Sequence, residues 1–264
     1  MGLSEKPDYS NWISKRIPRV AGISGCVFIL LSVLCTFIQH KTAGILLTTV
    51  FVFIALILIC FAVYMECARR VLSYEGKGVQ GKVLDKVLSY LNWDGQGKLI
   101  DIGCGSGAMT IKAAKRFPLA QIVGMDYWGI GWDFSKKQCE NNARLERVEK
   151  QITFQKGDAA NLEFPDGSFD AAVSNFVFHE VRNQPDKLAL INEAFRVIKP
   201  GGLFVFEDIF FSKKHYGDIE DFVKKLSGSV SEIHFIDTRH CEFIPAFLRT
   251  PLVLGEMGLI YGRK

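Results

Sequence analysis

An α/β fold, with a doubly wound and mostly parallel sheet preceded by a hairpin of two long apolar helices, is what this 264-residue chain predicts. Three observations carry the prediction. No charged residue occurs between Val20 and Gln39 or between Thr42 and Met65. A short apolar run, Leu99–Ile102, breaks into a turn with glycines at 103, 105 and 107. Beyond it, short apolar runs alternate with longer amphipathic ones, the pattern of strands joined by crossover helices.

The two uncharged segments, 20–39 and 42–65, would span about 30 Å and about 36 Å as helices, enough to cross a bilayer. Ile, Leu, Val and Phe occur all round both, without the polar stripe of a soluble core helix. Lys15, Arg16 and Arg19 before the first segment also suit a secretory signal peptide, but no small-residue cleavage site is evident and a second span follows at once. Lys6, Lys15, Arg16 and Arg19 precede the pair and Arg69, Arg70, Lys77 and Lys82 follow it, against Lys41 alone in the connection, so both termini and the following domain are expected on the cytoplasmic side. Trp12 and Tyr64 suit the membrane interface. Ala21, Gly22, Gly25 and Cys26 are small residues at helical spacing, which favours close packing inside the hairpin.

Residues 1–75 are therefore expected to form a membrane anchor and 76–264 the α/β domain, with the glycine-bearing stretch Tyr74–Gly81 as linker. Val83, Val87, Leu88 and Leu91 make a helical stripe. Strands are expected at 99–102, 121–125, 152–156, 169–174 and 203–206, with a last one at 258–261; helices are expected at 108–117, 135–148 and 186–198. The apolar, proline-broken stretch Phe243–Leu254 is either a substrate cover or part of the core. From residue 76 onward 25 Lys and Arg face 24 Asp and Glu, a balance that argues against a nucleic-acid partner. The seven cysteines form no C-x-x-C pair and show no zinc spacing, so neither a disulfide framework nor a metal site is expected.

In such a sheet, polar residues just past strand ends reach a ligand. Gly103, Gly105 and Gly107 allow positive φ and a close approach, and the helix that follows points free N–H groups at the same place. Gly103, Gly105 and Ala108 also fit the G-x-G-x-x-A dinucleotide fingerprint, so a nicotinamide-dependent dehydrogenase stays open at this point. Asp126 follows the second strand, where its carboxylate is placed for ribose hydroxyls or for capping the next helix. Asp158 follows the third, with an adenine amino group or a turn with Gly157 as its alternatives. Asn175 follows the fourth.

These residues resemble the class I S-adenosylmethionine-dependent methyltransferases. The resemblance runs from about Val79 to Glu207. It rests on Asp101-Ile-Gly103-Cys-Gly105-Ser-Gly107, on Asp126, on Gly157-Asp158-Ala159, on Leu162-Glu-Phe-Pro-Asp-Gly-Ser-Phe169-Asp170 and on Glu193-Ala-Phe-Arg-Val-Ile-Lys-Pro200-Gly201-Gly202. Within the class, the ubiquinone/menaquinone C-methyltransferases are nearest in look. The resemblance implies a seven-stranded Rossmann-like methyltransferase sheet and S-adenosylmethionine as cofactor, with S-adenosylhomocysteine as product. It implies that the glycine turn holds the methionine portion, Asp126 the ribose, and Asp158 with Ala159 the adenine. Asp101 would orient the methionine amino group, with the backbone around Asn175 bordering the same place. It decides against the dehydrogenase.

The aromatic stretch Tyr127–Trp132 is longer than the usual connection; Tyr127 or Trp128 either packs over the adenosine, faces the substrate or makes a lid contact. Methyl transfer needs alignment more than proton removal. The best candidate for a general base is His179, just past the fourth strand, with Glu207 and Asp208 behind it. The function expected is a membrane-anchored methyltransferase whose small, lipophilic acceptor enters from the bilayer. A membrane-tethered cofactor-binding scaffold without turnover is the alternative.

Overall fold

The computed structural model describes residues 5–74, 78–129 and 134–264. It divides into two compact units: residues 11–80, and residues 5–10 together with 81–264. The expected boundary between residues 75 and 76 lies outside the described residues. The segment before Arg16 is divided rather than staying wholly with the helical hairpin as expected: of its described residues, 5–10 belong to the α/β unit and 11–15 to the hairpin unit.

In the first unit α1 (Arg16–Cys35) and α2 (Lys41–Val71) pack against each other. α2 extends beyond its uncharged run at both ends, whereas α1 begins four residues before its run and ends at Cys35, short of the expected residue 39. Their seam is made of small residues. A Cβ on Gly25 would lie 2.8 Å from Ile59 and 3.4 Å from the Ala55 carbonyl, and Ala21, Gly44 and Ala55 are buried. The outward faces carry exposed Val20, Ile23, Leu30, Leu34, Ile45, Leu46, Phe53 and Val63. Each helix is long and apolar enough to cross a membrane. A soluble protein would have to hide that surface.

The second unit is a seven-stranded sheet in the order β3-β2-β1-β4-β5-β7-β6. Strands β1 (Lys98–Ile102), β2 (Gln121–Asp126), β3 (Ile152–Lys156), β4 (Phe169–Asn175) and β5 (Ile198–Asp208) run parallel; β7 (Gly258–Arg263) lies antiparallel between β5 and β6 (Glu232–Asp237). The helices are α3 (Val79–Ser89), α4 (Ala108–Arg116), α5 (Lys136–Leu145), α6 (Lys187–Arg196), the single turn α7 (Lys213–Tyr216) and α8 (Ile219–Leu226). Caps set their starts: the Asp186 and Asp218 carboxylates accept two N–H groups each, and Ser135 accepts from Gln138.

β5 begins earlier than expected. Pro200-Gly201-Gly202 reads as a turn, but the chain terminus zips onto it, with Gly201 N–H donating to the Lys264 carbonyl (2.8 Å) and Lys264 N–H to that of Gly202 (2.9 Å). β6 escapes the apolar pattern because it is an edge strand with no buried residue. In the Phe243–Leu254 stretch Ile244, Leu248 and Leu254 are buried and complete the core, while Phe247 and Leu252 are exposed.

One sheet face packs Ile100, Ile102, Met125, Ala172, Phe204 and Phe206 against Leu190, Ile191, Ala194 and Phe195 of α6 and Phe222 and Leu226 of α8. Phe206 sits at its centre, with ring centroids 5.2 Å from Phe178, 6.0 Å from Phe195 and 5.5 Å from Phe204. This aromatic stack supports the segment just past β4. Phe206→Ala is expected to destabilise the α/β unit by about 3–5 kcal/mol in urea unfolding, through lost burial and the cavity left behind.

Candidate active site

The carboxyl ends of β1, β2, β4 and β5 meet at one edge of the sheet, and the turn after β1 is the centre of that edge. Gly103 and Cys104 both donate their N–H groups to the Met125 carbonyl (2.7 and 2.9 Å), which ties the turn to β2 before α4 begins. Gly103 has φ 75° and Gly105 φ 56°. A Cβ on Gly103 would run into the Val177 side chain, so its close approach is to this chain's own post-β4 segment. Packing within the chain therefore already requires a glycine at this position.

Gly105 is held from two sides. Its N–H donates to Asp126 Oδ2 at 2.8 Å, and its carbonyl accepts from the Trp128 indole at 2.9 Å and from the Cys139 thiol at 3.1 Å. Asp126 Oδ1 accepts the Trp128 N–H at 2.7 Å. Trp128 makes both bonds with φ 43°, a strained conformation for a bulky residue. Of the two aromatics weighed from sequence, Trp128 engages the turn. Tyr127 is 64% exposed and lies under the Lys156 ammonium, 5.4 Å from its ring centroid. Ile130, Gly131 and Trp132 of the stretch lie outside the described residues. Burial pushes Asp126 above the usual carboxylate range, and the N–H groups of Trp128 and Gly105 oppose it.

Asp101 lies beneath the turn. It is buried and accepts the Thr110 hydroxyl of α4 at 2.6 Å; burial pushes it up to about 7. At the end of β3, Asp158 Oδ1 accepts the Ala160 N–H (2.8 Å) and Oδ2 the Asn183 amide (2.5 Å), while Ala159 is buried beside it. Asn175 ends β4 in register with Glu207 of β5. Its Oδ1 is buried with no hydrogen-bond partner among the described residues, an acceptor whose desolvation none of them offsets. The turn is thus a ring of donors and acceptors. A left-handed glycine turn at a helix N-terminus, a carboxylate at the end of β2 and an unpartnered amide oxygen fit S-adenosylmethionine, which carries an anionic carboxylate, ribose hydroxyls and an amino group.

His179 lies beyond β4 on a single helical turn, Phe178–Glu180. Its Nδ1 is 2.5 Å from Oδ1 of Asp208, a fully buried carboxylate whose Oδ2 also accepts the Phe178 N–H at 2.8 Å. Its Nε2 lies 3.4 Å from Glu180 Oε1. The sequence placed Asp208 only as a reserve candidate; no local pattern shows that the end of β5 reaches under the residue after β4. Burial opposes charge on the ring, but Asp208, then Glu180, outweigh it and push His179 up to about 10. At neutral pH the ring holds both protons, so it lacks the free nitrogen that the expected general base would need. Glu207 is buried, accepts the Thr238 hydroxyl at 2.8 Å and is pushed by burial up to about 8. Among the described residues no group of His, Cys, Asp and Glu is arranged to hold a metal.

Residues 100–206 match the family of methyltransferase domains. A demethylmenaquinone methyltransferase of Lactococcus lactis subsp. lactis is 39% identical over 109 residues, covering 40% of this chain and 40% of that protein. One from Staphylococcus epidermidis is 35% identical over 137 residues, 52% of each chain. This chain spans about half, or less, of the length of these curated relatives. The crystal structure of the [4+2]-cyclase SpnF shares the fold, with a TM-score of 0.53 at 20% identity over 69% of this chain and 80% of that one. Residues 100–206 of the α/β unit are thus similar to methyltransferase domains, and they lie within a seven-stranded, mostly parallel Rossmann-like sheet.

The His179 pair has a pH signature. The ring titrates near 6.5 in an unfolded chain and at about 10 here, so its stabilisation is complete below about pH 6.5 and fades as pH rises through 10. The stability gap between the wild type and His179→Gln, from urea unfolding, should therefore be largest near pH 6 and shrink toward pH 10. An NMR titration of the ring centred near 6.5 would contradict the assignment.

Proposed function

We propose that this protein is a membrane-anchored methyltransferase acting on a small, lipophilic acceptor with a ring hydroxyl, of the quinone type. The observation that carries the reading is the turn itself: Gly105 clamped between Asp126 and Trp128 at the head of α4, inside the stretch that matches methyltransferase domains. The names of the relatives, which methylate demethylmenaquinone, support the acceptor class. The two long apolar helices support delivery from a bilayer, where such an acceptor concentrates. The excess of Lys and Arg outside the hairpin supports a cytoplasmic position for both termini and the α/β domain.

In this reading the turn Gly103–Gly107 and the N-terminus of α4 receive the methionine carboxylate, and Asn175 Oδ1 receives its amino group. Asp101 holds the turn from below through Thr110 rather than meeting the ligand first. Asp126 accepts from the ribose, and Asp158 with Ala159 borders the adenine, where Tyr127 forms the outer edge. The bound cofactor supplies an electrophilic methyl group on a sulfonium. The chain's own part is alignment and exclusion of water, the larger share of what such a transfer needs. His179, beside Asp208, donates its Nε2 N–H as a hydrogen bond to the acceptor's ring oxygen, and the proton that the acceptor loses on methylation passes to bulk water.

Two measurements test this. Full-length protein in lipid vesicles, given methyl-labelled S-adenosylmethionine and a hydroquinone acceptor, should place label in the organic extract; label confined to water-soluble products would overturn the lipophilic acceptor. Asp126→Ala should weaken S-adenosylmethionine binding by about 1–3 kcal/mol in titration calorimetry, through lost hydrogen bonds and a loosened turn. Unchanged affinity would remove Asp126 from the site.

A further inference from the structure

Residues 5–10 precede the first apolar helix, yet they bond to the α/β unit at the cofactor turn. The pairing is specific. Asp8 N–H donates to Asn142 Oδ1 at 2.9 Å, and Asn142 Nδ2 donates back to the Asp8 carbonyl at 2.7 Å, so a side-chain amide of α5 pairs with backbone as a neighbouring strand would. Gln138, one turn earlier, donates Nε2 to the same carbonyl (2.7 Å) and to Ser10 Oγ (2.9 Å). Tyr9 is 6% exposed and its hydroxyl donates to Glu146 Oε1 at 2.8 Å. Glu146 is also paired with Lys115 of α4. Gln138, Asn142 and Glu146 are spaced four apart, so one edge of α5 is built to receive this segment.

The same segment reaches the turn directly. Ser106 Oγ donates to the Tyr9 carbonyl at 2.7 Å, and the Ser106 carbonyl accepts from Asn142 Nδ2 at 3.0 Å. Ser106 stands between two glycines, both with positive φ. A Gly-Ser-Gly peptide has little conformational preference of its own, and ordering it at the moment of binding costs affinity. Asp126 and Trp128 hydrogen-bond to Gly105, whereas the Ser106 side chain and carbonyl are held by Tyr9 and Asn142.

We propose that residues 8–10 form a strap that fixes Ser106 between its glycines and so preorganises the turn for the cofactor. The strap is a positioning element, not a ligand contact, and its effect on affinity rests on the reading of the turn as the S-adenosylmethionine site. It makes the chain before the membrane helices a working part of the α/β unit.

The test uses the full-length protein in detergent with S-adenosylhomocysteine as probe, comparing wild type, Gln138→Leu and a deletion of residues 2–10. Among the described residues the hydrogen bonds of the Gln138 side chain go to Asp8 and Ser10 of the strap, so the substitution leaves the hydrogen bonds of the turn itself in place. Affinity by calorimetry should fall about threefold to tenfold in Gln138→Leu and by more than about tenfold in the deletion. Hydrogen exchange in the unliganded protein should quicken at residues 103–110 and stay unchanged in β4 and β5. Wild-type affinity in both variants would overturn the strap, as would a loss of protection spread over the whole unit, which marks general stability instead of positioning. If the wild type binds no S-adenosylhomocysteine, the reading of the turn fails; the exchange data still decide the strap, since unchanged rates at 103–110 in both variants would overturn it alone.

Discussion

The hydrogen bond from Gly105 to Asp126 joins the turn after β1 to the end of β2, and the rest of the site is arranged around it. A turn whose glycines all take positive φ has little reason to hold one shape. The cost of holding it is met by contacts from four directions. The Met125 carbonyl takes two N–H groups at its start, Asp126 and Trp128 take the Gly105 peptide, Val177 fills the space above Gly103, and Asn142 with Tyr9 holds Ser106. A turn ordered in advance loses less entropy when a ligand arrives.

The charged groups at the same sheet edge differ by how their burial is offset. Asp101 and Glu207 are fully buried with one hydroxyl each as side-chain partner, and burial pushes both upward, to about 7 and about 8. Asp208 is as deeply buried but faces an imidazole and three backbone N–H groups. Those contacts offset its burial, and Asp208 together with Glu180 pushes the His179 ring up to about 10. A buried ion pair of this kind fixes geometry more than it adds stability, because removing two charges from water takes back most of what their attraction returns.

The helical hairpin follows a separate logic. Its seam is lined by Ala21, Gly25, Gly44 and Ala55, which let two backbones come close, and its outer faces keep large apolar side chains in contact with whatever surrounds them. Close packing of small residues needs no hydrophobic driving force between the helices, which is the condition inside a lipid bilayer.

Much of this was legible in the chain itself. Apolar runs of strand length after residue 97, separated by helical periods, determine a parallel α/β sheet, and three glycines with acidic residues at 101, 126 and 158 mark its ligand edge, because strand ends and positive φ leave local traces. Uncharged length alone marks the hairpin. What tertiary structure decided depends on contacts distant in sequence. Nothing near His179 announces Asp208, 29 residues on, which sets its protonation; nothing near Ser106 announces Tyr9, 97 residues back. Gly103 is explained by Val177, and Trp128 rather than Tyr127 grips the turn through a strained backbone that no sequence period encodes. Periodicity reports which face of an element is buried. It does not report which distant side chain meets it there, and the charge and rigidity of the site are properties of those meetings.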